Sequence, residues 1–295
     1  MREGNLNWAK RTLSARQLTF ITLHRMPREK RSGVRPKKAL GQHFLHDQNT
    51  AVRIVESLTR APDTRLQLLE IGPGMGVLTR LLNVQDNTNL TVIEIDRDSV
   101  AYLKENKILS EEQIIEGDFL RMDLSRIFPG HFSLIGNFPY NISSQIFFRV
   151  LEYRNQVDQV VCMLQKEVAE RIASAHGSKV YGILSVLLQA YYDIQLLFKV
   201  SPGVFIPPPK VMSAVIRLVR NKREHLLCDE KLFVQVVKQG FNNRRKTLRN
   251  ALKNLNLDKA VSSLPLLDKR AEQLTVEDFI GLTRLIEQSR AGTHN

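Results

Sequence analysis

The chain has 295 residues and a mass of 33.8 kDa, with 43% hydrophobic and 25% charged residues, ordinary globular usage that excludes a largely disordered or fibrous protein. Its two cysteines, Cys162 and Cys228, lie far apart in sequence and form neither a disulfide framework nor a cysteine metal site. The net charge of +13 is concentrated: residues 1–38 hold eleven basic and two acidic residues, and 238–253 hold six basic and none acidic. A nucleic-acid backbone, an anionic membrane or mere solubility could each exploit such patches. No apolar run reaches the roughly 18 residues of a spanning helix. Nor does the N-terminus show an apolar block with a cleavage site. The sequence therefore reads as a soluble, cytoplasmic protein with no membrane partner and no metal.

Residues 1–33 have weak periodicity and read as a basic arm, in which Met26 offers an alternative start. Apolar residues at helical spacing predict a helix over 50–60. A strand at 66–71 then runs into glycines, followed by helix 77–82, strand 90–95, helix 99–106, strands 113–116 and 132–136, and helix 142–153. Strand 159–164 enters a helix over 166–173. This alternation of short apolar strands with helices predicts an α/β, Rossmann-like parallel sheet covered on both faces. A helix over 181–190 precedes strands 192–199 and 213–218, expected to be antiparallel. Between them Pro207, Pro208 and Pro209 impose a stiff extended loop. Beyond Arg220 the pattern becomes helical at 231–239, 246–254 and 275–288. The predicted organisation is the arm at 1–33, an α/β domain at 34–219 and a helical domain at 220–295.

The chemistry lies at the ends of the strands. Strand 66–71 leads into Glu70-Ile71-Gly72-Pro73-Gly74-Met75-Gly76, where alternate glycines permit a tight turn and close approach to a ligand. About 20 residues further on, Glu94 with Ile95 ends the next strand, where a carboxylate accepts hydrogen bonds from both hydroxyls of a ribose. A nicotinamide or flavin would use similar geometry, but the G-x-G-x-G spacing and Pro73 fit a pyrophosphate loop poorly. Gly117-Asp118-Phe119 follows the third strand. Asp118 suits an adenine amino group and Phe119 the ring face, although Asp118 equally suits a cap for the next segment. The fourth strand ends in Asn137-Phe138-Pro139-Tyr140. An asparagine oxygen and the carbonyl of Phe138 or Pro139 can accept the two hydrogens of an exocyclic amine, while Tyr140 stacks on its base.

In order along the chain, Gly41-Gln42-His43-Phe44-Leu45, Glu70 to Gly76, Glu94, Gly117 to Phe119, Asn137 to Tyr140, Phe205 to Lys210 and Phe241 to Lys246 resemble the ribosomal RNA adenine dimethyltransferase family, most of all its small-subunit 16S rRNA branch. The resemblance covers roughly residues 35–285. It implies a seven-stranded class I methyltransferase sheet with a small C-terminal all-helical domain that helps select RNA. It also implies S-adenosyl-L-methionine as cofactor. Gln42, His43, Phe44 and Leu45 would lie along its methionine part, Gly72, Gly74 and Gly76 beneath it, Glu94 and Ile95 at its ribose, and Asp118 and Phe119 at its adenine. Asn137, Pro139 and Tyr140 would present the target base, and Phe205 would pack against that base or its mouth.

Two positions depart from the family pattern. His43 stands where relatives often have Asn, and Phe138 replaces the Leu common in the small-subunit branch.

The implied activity is transfer of methyl groups to N6 of two adjacent adenosines near the 3′ end of 16S rRNA, within an immature 30S subunit, by a monomeric enzyme. Lys238, Arg244, Arg245, Lys246, Arg249 and Lys253 would join Arg35, Lys37 and Lys38 in a phosphate-binding groove. The alternatives are a large-subunit rRNA dimethyltransferase of the antibiotic-resistance type and a nonenzymatic RNA-binding assembly factor.

Overall fold

A computed structural model describes residues 33–61 and 64–292. The arm expected before Gly33 lies outside the described residues. From Val34 onward the chain forms one compact unit.

The first short strand, β1 (Phe44–Leu45), leads into α1 (Gln48–Glu56), whose N-cap Asp47 accepts from the Thr50 amide at 2.7 Å. Then come β2 (Leu66–Ile71), α2 (Val77–Asn83), β3 (Thr88–Glu94), α3 (Arg97–Glu105), β4 (Ile114–Glu116), α4 (Leu124–Ile127), β5 (Phe132–Asn137) and α5 (Ser143–Glu152). They are followed by β6 (Val157–Gln165), α6 (Lys166–Ala173), α7 (Ile183–Gln189), β7 (Tyr192–Val200), β8 (Phe205–Ile206) and β9 (Ser213–Arg220). The C-terminal helices are α8 (Glu230–Asn242), α9 (Leu248–Ala251), α10 (Lys259–Ser262) and α11 (Val276–Gly292).

Seven strands form one mixed sheet in the order β4-β3-β2-β5-β6-β9-β7. Pairing is parallel from β4 to β6, whereas β9 is antiparallel to both β6 and β7. The parallel strands thus end on one edge, and the order reverses between β2 and β5, where α/β sheets open a crevice for ligands. The side chains of these strands alternate strictly between two cores. Val160, Cys162 and Leu164 of β6 join one, and Val161 and Met163 join the other. The second core is closed by α1, α2 and α3 through Ile54, Leu82 and Leu103. The first is closed by α5, α6 and α7 and runs on without a break into α8 and α11 through Phe233, Val237 and Phe279.

The 246–254 region departs from the long helix expected there. Thr247 is extended, so α9 starts only at Leu248, whose amide is held by the Lys269 carbonyl at 2.8 Å. After one turn the chain tightens into a 3₁₀ turn over Lys253–Leu255, which ends at Asn256 in the left-handed region (φ 51°). The helix α10, unanticipated from periodicity, starts at Asp258, whose carboxylate caps the Val261 amide at 2.7 Å.

Phe241 joins the C-terminal helices to the sheet-bearing part. It is buried, with its ring 6.0 Å from Tyr181 before α7 and 5.9 Å from Phe279 of α11. Phe241→Ala should lower the stability of the whole unit by about 3 to 5 kcal/mol, the cost of truncating a buried aromatic. Chemical denaturation followed by circular dichroism measures this, and the helical and sheet signals should shift together.

Candidate active site

At the crevice between the ends of β2, β3, β4 and β5 lies a cavity of about 280 Å³. It gathers residues from five separate stretches of the expected site. Gln42 and His43 come from just before β1 and Phe44 from its first position, Gly72 and Gly74 from the β2 loop, Glu94 and Ile95 from the end of β3, and Asp118 and Phe119 from after β4. Asn137, Pro139 and Tyr140, from the end of β5, complete the wall.

Three expected site residues lie elsewhere. Leu45 and Gly76 do not line the cavity, Leu45 facing a small adjoining hollow and Gly76 starting α2. Phe205 needs correction. Its backbone bridges to Leu45 in the two-stranded β1/β8 sheet, and its ring is 2% exposed, in the core with Leu45, Val200 and Val215. It therefore anchors the loop behind the site and does not line the cavity.

The glycine loop must come close to the strand before α1. Gly74 has φ +55°, and a Cβ there would sit 2.9 Å from ring carbons of Phe44, so any side chain would push that ring into the cavity. Glu94 is buried, and each of its oxygens accepts one backbone amide, Gly74 at 3.1 Å and Asp96 at 2.9 Å. Burial raises the Glu94 carboxyl above its ordinary range and the two amides pull it back. Each oxygen keeps a lone pair for a ligand hydroxyl. Asp118 caps Leu120 through one oxygen at 3.0 Å and lies 3.4 Å from Arg121 through the other, while still lining the cavity.

Asp96, which the sequence reading did not single out, organises the opposite wall. Its side chain is fully buried and takes hydrogen bonds from Lys37 Nζ (2.5 Å) and Gln42 Nε2 (2.8 Å), and Gln42 Oε1 accepts in turn from the Lys37 amide (2.8 Å). Burial opposes the charge on Asp96, but the Gln42 and Lys37 hydrogen bonds outweigh it and hold the carboxyl below its usual range. The Gln42 amide is thus engaged within the protein and ties the segment before β1 to the cap of α3. Lys37 is also paired with Asp98 at 2.7 Å, so its charge is already engaged within the protein. The signal was an acid two residues beyond Glu94, at the cap of α3.

Asn137 is fixed by its neighbour across the cavity. Its Nδ2 donates to the His43 carbonyl at 2.8 Å, and because a carbonyl only accepts, Oδ1 must be the atom left facing the cavity. Oδ1 has no hydrogen-bond donor among the described residues. Tyr140 is half-buried, with its hydroxyl 2.5 Å from Ser213 Oγ of β9, and burial pushes its phenol up, keeping it neutral.

The sheet order and this crevice define a Rossmann-like class I methyltransferase. Comparison with known proteins narrows the class: the profile described as ribosomal RNA adenine dimethylase matches residues 33–288, and the chain belongs to that family. It is 55% identical over 253 residues to the Ribosomal RNA small subunit methyltransferase A of Cytophaga hutchinsonii, covering 86% of this chain and 98% of the relative. It is 57% identical over 256 residues to the protein so named in Parabacteroides distasonis, covering 86% and 95%.

Among solved structures, a dimethyladenosine transferase from Plasmodium falciparum shares the fold with a TM-score of 0.69 at 24% identity, over 85% of this chain and 98% of its own. The 23S rRNA methyltransferase ErmE gives a TM-score of 0.60 at 27% identity, over 81% and 99%. With the family come S-adenosylmethionine as cofactor and methyl transfer to N6 of ribosomal RNA adenines during ribosome biogenesis. The donor set fits that cofactor, with a glycine cradle that a Cβ would fill and a buried carboxylate with spare acceptors. Among the described residues no cluster of His, Cys, Asp and Glu is placed to hold a metal ion.

Beneath the glycine loop, Glu70 is 1% exposed and accepts from Thr79 Oγ1 at 2.7 Å. Burial pushes its carboxyl up to about 8, from an ordinary 4.5, despite the Thr79 hydrogen bond. Between these values the unfolded chain has lost a proton that the folded chain keeps, so this group's stabilising contribution falls as pH rises through that window. Glu70→Gln keeps an acceptor for Thr79 and removes the titration. Denaturation midpoints of the wild type, relative to the variant, should therefore drop steadily from about pH 5 to about pH 8.

Proposed function

We propose that the protein dimethylates N6 of two adjacent adenosines near the 3′ end of 16S rRNA in immature 30S subunits, acting as a monomer in the cytoplasm. The observation that carries the reading is the Asn137 side chain, whose amide is clamped by the His43 carbonyl so that an unpaired Oδ1 faces the cavity beside Tyr140. The 55% identity to a small-subunit methyltransferase across nearly its whole length supports the choice of subunit.

S-adenosylmethionine supplies the electrophile, a methyl group on a sulfonium sulfur. The chain supplies position and polarity. Glu94 takes the ribose hydroxyls with its two spare lone pairs, and Asp118 and Phe119 bound the adenine end. Asn137 Oδ1 accepts one N6 hydrogen of the target base. The carbonyl of Phe138 or of Pro139, the latter taking only a long bond from the Ile142 amide (3.3 Å), offers a second acceptor for the other hydrogen. Holding both hydrogens in this way turns the nitrogen lone pair toward the donor side. No strong base is required, because the amine loses its proton after the new C–N bond has begun to form. After one transfer the amine keeps a lone pair and one hydrogen, which suffices for a second round once the spent cofactor has been exchanged for a second S-adenosylmethionine.

The target must leave its stack, at a cost of a few kcal/mol that stacking on Tyr140 partly offsets. Single-stranded loops lower that cost. The basic residues of 238–253 divide into two groups. Arg244 donates to the carbonyls of Lys179 and Tyr181, Arg249 pairs with Asp268, and Lys238 lies over the Phe148 ring at 5.3 Å. Arg245, Lys246 and Lys253 are exposed, and their side chains have no hydrogen-bond or ion-pair partner among the described residues, so they are the cations available to phosphates.

The test is incubation of the protein with labelled S-adenosylmethionine and immature small subunits, followed by nucleoside analysis and mapping. The expected product is N6,N6-dimethyladenosine at two neighbouring positions. Labelling of 23S rRNA alone points to the large-subunit alternative, and cofactor binding without methylated adenine rejects the reading. Asn137→Ala should lower kcat by about 100-fold or more, with the S-adenosylmethionine Kd from calorimetry changed by less than about threefold. Replacing Arg245 and Lys246 together by Glu should raise KM for the subunit and reduce the slope of log affinity against log salt by about 2, leaving the cofactor Kd unchanged.

A further inference from the structure

His43 holds a position from which three parts of the site meet, and the chemistry above uses only its backbone. Its carbonyl takes the Asn137 amide. Its ring Nδ1 lies 2.8 Å from the Pro207 carbonyl, and since that oxygen only accepts, Nδ1 carries the hydrogen. The imidazole stacks on Tyr140, with ring centroids 5.5 Å apart and planes 28° from parallel. Tyr140 is thus restrained twice, by Ser213 at its hydroxyl and by His43 on one face.

We infer that His43 is a positioning residue that backs the Tyr140 ring, leaving its opposite face as the platform on which the target adenine stacks. The inference rests on the methyl-transfer reading. A ring free to swing about its χ angles would present the base in many orientations, of which few put N6 in line with the donor. The imidazole removes that freedom before the base arrives. Its link to Pro207 fixes the imidazole in turn, using the loop that Phe205 anchors in the core. His43 then acts on the orientation of the acceptor, so the effect of losing its ring falls on kcat and not on cofactor affinity.

Three variants of the full chain separate ring from hydrogen bond. His43→Ala loses both, His43→Asn keeps a donor for Pro207 without a ring, and His43→Phe keeps a ring without the donor. Steady-state methylation of immature 30S subunits gives kcat and KM, calorimetry gives the S-adenosylmethionine Kd, and thermal melting verifies folding. With the ring as the positioning element, His43→Ala and His43→Asn should each lose about tenfold or more in kcat with Kd within about twofold of wild type. His43→Phe should recover most of that loss.

Equal or higher kcat in folded His43→Ala overturns the inference, since it means that the imidazole sits where the base must go. So does a folded, cofactor-binding His43→Phe as impaired as His43→Ala, or a loss explained by Kd alone. These outcomes are read with the wild type active, whereas a wild type that binds cofactor but methylates no adenine overturns the methyl-transfer reading and this inference with it.

Discussion

One hydrogen bond, from Asn137 Nδ2 to the His43 carbonyl, decides which end of a symmetric-looking amide faces the cavity. A side-chain amide can rotate to offer donor or acceptor, and an amine target needs an acceptor. The carbonyl that enforces the choice belongs to the segment just before β1, more than 90 residues upstream in sequence. That segment must therefore be held against the end of β5 for the acceptor to be presented. The β1/β8 bridge, the Gln42–Asp96–Lys37 cluster and the contact between Gly74 and Phe44 all hold the same short stretch of chain in place.

The cost of this arrangement is buried charge. Glu70, Glu94 and Asp96 lie within one edge of the sheet, and each meets its burial differently. Glu70 keeps its proton, Glu94 is satisfied by two backbone amides, and Asp96 is neutralised by Lys37. Three neighbouring carboxylates ionised together would repel strongly in such surroundings. The amides of Gly74 and Asp96 counter the burial of Glu94, while the neighbouring Glu94 charge adds to the burial that keeps Glu70 protonated.

Much of the strand pattern was legible because apolar runs bounded by glycine and proline leave few alternatives, and the seven-stranded sheet has its strands within a few residues of the expected positions. The motif residues at strand ends were legible for a related reason. In a parallel sheet every strand end points to the same edge, so chemistry-bearing residues there converge without knowledge of the loops. Long-range partners were not legible. Nothing in the Lys37 to Gln42 segment signals that it folds onto Asp96, and the run Phe205-Ile206-Pro207 gives no sign that the phenylalanine turns inward. The 246–254 helix was overestimated because periodicity does not register that Thr247 is extended or that Asn256 turns left-handed.

The unbroken core between the sheet and α8 and α11 has a mechanical meaning. Phe233, Val237 and Phe279 are shared between both parts, so α8, which leads into the turn carrying Arg245 and Lys246, is packed into the same core as the sheet. On the proposed reading, the spacing between those two cations and the Asn137 acceptor is set by the packing of one core and not by the docking of two separate bodies. An RNA that engages both would have to match that spacing, so its shape as well as its sequence would select the nucleotide that reaches the crevice.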